Sequence, residues 1–98
     1  MRIEDSGAPK FFIVEHDRIA DAVYVCLDPD VRGRRLRTTR LDSRRLVDTA
    51  ADGTVLGVEL LDVSLGVDLS GLPAADLIGA ALRGRGILVL AEAVNPAP

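Results

Sequence analysis

Ninety-eight residues, 48% of them hydrophobic but only 3% aromatic, with a net charge of −3, describe a chain that can bury a modest core of Val, Leu, Ile and Ala. That length excludes more than one ordinary domain, the apolar content excludes a disordered chain, and with only Phe11, Phe12 and Tyr24 as aromatics the stacking platforms that bases need are scarce. The single cysteine, Cys26, excludes an internal disulfide and a thiolate zinc cluster, which fits a reducing, cytoplasmic setting.

Residues 1–9 hold Gly7 and Pro9, show no periodicity, and are expected to be a flexible lead. Their acids stand where a signal peptide would carry basic and then apolar residues, and no apolar run approaches the roughly 20 residues that span a bilayer. The chain is therefore expected to be neither secreted nor membrane-spanning. A single α+β domain is expected over 10–92, with a flexible tail over 93–98.

Two β-prone runs, Phe11 to Glu15 and Ala22 to Leu27, flank the polar His16 to Asp21 and predict a first hairpin. Asp28, Pro29, Asp30 and Gly33 then disfavour regular structure. A strand follows from Leu36 to Leu41, Asp42-Ser43 reverses the chain, and Arg44 to Leu61 reads as two strands about an Asp52-Gly53 turn. An antiparallel meander of about five strands results. Further on, Pro73 stands at a plausible first helical position, with Asp76 early and Leu77, Ile78, Ala81 and Leu82 on one face, predicting a helix over 73–83 that packs on one side of the sheet. Gly84 and Gly86 are expected to end it, and the run from Gly86 to Glu92 reads as a short final strand.

Two registers are open to the Asp52-Gly53 hairpin. A two-residue type I′ turn sets Val47 against Val58 and Leu46 against Glu59. A type I turn closed by Gly53 at positive φ sets Ala50 against Thr54, Leu46 against Val58 and Arg45 against Glu59. The second is preferred, because it pairs unlike charges and stacks apolar partners, terms worth roughly 0.2–1 kcal/mol each. Leu46, Leu56, Val58 and Leu60 then share a face with Asp48, and the opposite face holds Val47, Thr49, Val55, Gly57, Glu59 and Leu61. Neither face is purely polar. A second covered face predicts a homodimer or cover from elsewhere in the chain.

The run Ala20-Asp21-Ala22-Val23-Tyr24-Val25, then Val47-Asp48, Asp52-Gly53, Leu56-Gly57-Val58-Glu59-Leu60-Leu61 and Ser64, resembles the small prokaryotic family catalogued as domain of unknown function 2283. The likeness covers about half the chain, from His16 to Ser64, and its signature positions are Asp21, Tyr24, Asp48, Gly53, Gly57 and Glu59. It implies a compact β-meander with a trailing helix and no established activity. This chain departs from the pattern at Thr49, where the family often has an aromatic, and in its arginine-rich connection.

Charge is distributed unevenly, since Arg32 to Arg45 carries seven arginines against Asp42, a sum of +6 that leaves −9 for the rest of a chain at −3. Arg37, Arg40, Arg44 and Arg45 are the candidates for binding an acidic protein partner, although charge runs usually only keep turns solvated. Nucleic acid is disfavoured by the acidic total. Asp21, Asp48 and Glu59 are the carboxylates that a metal or metabolite site would use, most readily if Asp48 and Glu59 share a face; the simpler reading pairs Glu59 with Arg45. His16 is expected in a turn and Cys26 as a small buried hydrophobe, so no catalytic residue, cofactor or metal ligand is assigned. The expected role is a non-enzymatic interaction or structural domain that self-associates. The alternatives are an antitoxin-like or nucleic-acid-associated regulator and a small metal- or metabolite-binding domain.

Overall fold

The computed structural model describes residues 13–28 and 36–91; the expected lead, tail and the arginines at 32, 34 and 35 lie outside these ranges. Five antiparallel strands, β1 (Ile13–Asp17), β2 (Ala22–Cys26), β3 (Arg37–Asp42), β4 (Arg45–Thr49) and β5 (Val55–Leu61), form one sheet. A 3-10 turn (Val63–Leu65), β6 (Val67–Asp68), helix α1 (Ala75–Gly84) and β7 (Val89–Ala91) complete the expected α+β fold.

The strand order is β1-β2-β5-β4-β3, so the connection after β2 carries the chain to the far edge and β5 returns to the centre. Hydrophobicity explains that placement. VLGVELL is the longest and most apolar strand, and in the centre it is buried or half-buried along its whole length. The polar RTTRLD strand takes an edge, where every residue is exposed and its charges discourage further pairing.

One sheet face carries Val23, Val25, Val47, Val58 and Leu60, which pack with Leu69, Leu72, Ile78, Leu82 and Ile87 from the C-terminal segment into the main core. Each fully buried Val or Leu there contributes about 1.5–3 kcal/mol. The helix starts two residues later than expected: Pro73 lies outside it, and Ala74 enters at φ 56 before Ala75 begins the regular turns. Its end follows the expected glycine stop. Gly86 has φ +80, its N–H donates to Arg83 O at 3.0 Å, and Ile87 N–H donates to Leu82 O at 2.9 Å, the paired bonds of a Schellman motif. Ile87 then packs into the core with Leu82.

The β4–β5 hairpin combines features of both expected registers. Gly53 has φ +91, Gly53 N–H donates to Ala50 O, and Ala50 N–H donates to Thr54 O, so the turn is the glycine-closed form. Thr49 lies opposite Val55, but the next pair is Asp48 with Gly57. Leu56 is an extra residue, a β-bulge, and beyond it Val47 faces Val58, Leu46 faces Glu59 and Arg45 faces Leu60. The expected Arg45–Glu59 and Leu46–Val58 pairs are thereby corrected. The bulge keeps Val58 and Leu60 on the core face and turns Leu56 to the other side, where it is buried with Cys26 and Ala50 under Tyr24 and Leu36. Among the described residues, no helix is long and apolar enough to cross a membrane.

Candidate functional site

On the second face, one row across the sheet reads Glu15, Tyr24, Glu59, Leu46 and Arg40, and the next reads Ile13, Cys26, Gly57, Asp48 and Thr38. Tyr24 bridges the rows. Its ring lies over Gly57, where a Cβ would overlap Tyr24 Oη and Cζ, and the phenol donates to Asp48 Oδ2 at 2.7 Å. Thr38 Oγ1 donates to Asp48 Oδ1 at 2.6 Å, so both carboxylate oxygens are engaged. Burial first, and then the hydrogen bond to the Asp48 carboxylate, push the Tyr24 phenol well above its ordinary value. It remains a proton donor to Asp48 throughout the neutral range.

Asp21 belongs to a separate fastening. Its backbone takes φ 58 in the β1–β2 turn, Oδ1 accepts Ser64 N–H at 3.0 Å, and Oδ2 accepts Ser64 Oγ at 2.6 Å. Asp21 O also accepts Val63 N–H at 3.1 Å. The first hairpin is thus tied to the chain leaving β5, across 43 residues of sequence. Asp17 organises the same turn by accepting the N–H groups of Ile19 and Ala20.

Asp48 and Glu59 do share a face, the arrangement that a carboxylate ligand site requires. Yet Asp21 sits elsewhere with both oxygens bonded to Ser64, and the oxygens of Asp48 are taken by Tyr24 and Thr38. Among the described residues, no three His, Cys, Asp or Glu side chains gather as a metal would require. His16 lies within β1 opposite Val23, not in a turn, and Cys26 is buried.

The arginines diverge as well. Arg45, opposite Leu60, points to the main core side, where its Nε donates to Asp42 Oδ2 at 2.8 Å and its Nη1 to Ser70 O at 2.7 Å and Asp68 O at 3.2 Å. It secures β4 to the segment entering α1. Arg44 Nη1 donates to Gly66 O at 3.3 Å, and Arg40 Nη1 to the carbonyls of Asp42 and Ser43. Arg37 alone of the four makes no side-chain hydrogen bond among the described residues. Asp42 is held below the ordinary carboxylate value by the Arg44 N–H and then by Arg45, and Asp68 by the Ser70 hydroxyl and backbone N–H. Asp42, Arg44, Arg45 and Asp68 line a crevice of about 280 Å³ between the Asp42–Arg45 turn and Gly66–Asp68. Its cations are already bonded to carbonyls and a carboxylate.

Exposed large apolar side chains occur singly at Ile13, Ile19, Leu41 and Leu77, and three more lie at or beside the β6–β7 pair. Leu65, Leu88 and Leu90 are 61%, 59% and 60% exposed. Leu90 rests against Gly66, whose φ of +100 and close contact with the Leu90 branch leave no room for a side chain. Sequence pattern gave no hint of this cluster, because GILVL reads equally well as a buried strand. No family model, curated protein or solved structure matches this chain.

Proposed function

We propose that the chain is a small non-enzymatic interaction domain that self-associates, and that its working surface is the leucine cluster at the β6–β7 end. The exposure of Leu65, Leu88 and Leu90, each about three-fifths open to solvent and each in or within two residues of the paired strands β6 and β7, carries this reading. Large apolar side chains clustered on a surface are removed from water most readily by another protein. The second sheet face gives self-association less support than its sequence suggests, because Cys26, Ala50 and Leu56 of that side are already covered within one chain, and the support rests on the leucines.

Engagement of the ionisable residues supports the non-enzymatic part. Asp21, Asp48, Arg44 and Arg45 all hold one part of the chain to another, and the signature resemblance is then a resemblance of fastenings: a clasp at Asp21, a ring on Gly57 and a turn at Gly53. Membership of the domain of unknown function 2283 family and a cytoplasmic location are proposed on that signature and on the buried Cys26. Light scattering over a concentration series is the test. A mass of twice 10.4 kDa is expected at high concentration, and a mass that stays at 10.4 kDa would overturn self-association.

A further inference from the structure

The two-stranded parallel sheet has unequal outer edges. On β6 the outward carbonyls are occupied, since Gly66 O accepts Arg44 Nη1 at 3.3 Å and Asp68 O accepts Arg45 Nη1 at 3.2 Å. On β7, Val89 lies opposite Val67, and Val67 N–H donates to Leu88 O at 2.9 Å. In a parallel ladder, a residue that bonds this way grips the two neighbours of the residue opposite it. The N–H and C=O of Val89 therefore point away from β6, and among the described residues neither has a hydrogen-bond partner.

An open edge beside exposed leucines is the arrangement that accepts another strand. Strand alternation places Leu88 and Leu90 on the solvent side, while the half-buried Val89 packs toward the main core. We infer that β7 pairs antiparallel with β7 of a second copy, centred on Val89, a proposal that rests on the self-association reading above. The segment suits itself as a partner. Centring on Val89 lets the two valines exchange both N–H···O bonds and sets Leu88 of each copy opposite Leu90 of the other. The residues from Ile87 to Ala91 carry no charge, so the two-fold pairing brings no like charges together. An isologous joint closes on itself after two copies, which consumes the edge instead of propagating it.

The test is amide hydrogen exchange of the full chain, followed residue by residue at low and high protein concentration, alongside its mass by light scattering. The pairing requires a dimer in which the Val89 amide exchanges at least about tenfold more slowly at high concentration. A dimer whose Val89 amide exchanges equally fast at every concentration overturns strand pairing but leaves self-association standing. A chain that stays monomeric overturns both. As a second variant, Val89→Pro removes the outward N–H and should abolish the dimer; a folded Val89→Pro dimer of unchanged affinity also counts against the pairing.

Discussion

Gly57→Ala sets two effects against each other, and the structure decides the sign. Glycine within a strand carries an entropic penalty, and replacing it with Ala where the backbone permits stabilises by about 0.4–1 kcal/mol. Gly57 needs no left-handed backbone, so propensity alone would make the substitution favourable. The Cβ, however, would meet Tyr24 Cζ at 2.5 Å and overlap the phenolic oxygen, which must lift the ring and release Asp48. Losing a hydrogen bond to a charged group removes about 1.5–3 kcal/mol, and overpacking adds about 1–3 kcal/mol. The net expectation is a loss of about 2–4 kcal/mol, or a fall in Tm on the order of 10–20 °C for a domain of this size. Thermal or urea unfolding followed by far-UV circular dichroism measures it. In a Tyr24→Ala background the obstruction is gone, and Gly57→Ala should become neutral or stabilising. A single Gly57→Ala variant as stable as the parent, or an equal loss in both backgrounds, would refute the steric explanation.

Tyr24 is the only tyrosine in a chain without tryptophan, so its absorbance titration reads one group. The phenol should resist ionisation past the ordinary 10.0, and Asp48→Asn should bring the midpoint down without restoring it, because burial is the larger cause. Since the folded phenol keeps a proton that the unfolded chain releases, stability is full below 10.0 and declines as pH rises above it. At the acid end the sign reverses: Asp42 and Asp68 lie below 3.8 when folded, so stability is full above 3.8 and is lost as pH falls through the folded values. Asp68→Asn should make that acid decline shallower in a pH series of urea melts. Asp21→Ala should destabilise by about 1.5–3 kcal/mol by removing the acceptor for Ser64, whereas Asp21→Asn, which tolerates positive φ and keeps one acceptor oxygen, should lose less in the same melts.

Local chemistry made the strands, the Asp52-Gly53 turn and the glycine helix stop legible in the sequence. The register was not, because comparing hairpin pairings assumes an unbroken ladder, and the Leu56 bulge lets the turn follow one register while the strands beyond it follow the other. Pro73 misplaced the helix start for a related reason: its fixed φ suits a first turn, but Ala74 at φ 56 separates it from the helix. The Asp21–Ser64 clasp and the Arg45 bonds to Asp68 and Ser70 span 43, 23 and 25 residues, distances over which pattern carries no information. Tyr24, Gly57 and Asp48 were identifiable as a set by resemblance, but only their three-strand geometry explains why a large ring, an absent side chain and a carboxylate occur together.

The division between fastening residues and a leucine working surface is tested most directly by sedimentation equilibrium and urea unfolding on two variants, Leu88→Ser and Asp48→Asn. Leu88→Ser should weaken association by tenfold or so while leaving stability within about 0.5 kcal/mol, since the side chain is 59% exposed. Asp48→Asn should lower stability by about 1–3 kcal/mol and leave the association constant of the folded chain unchanged. Loss of association in Asp48→Asn under conditions where it is fully folded, with Leu88→Ser associating like the parent chain, would contradict the division.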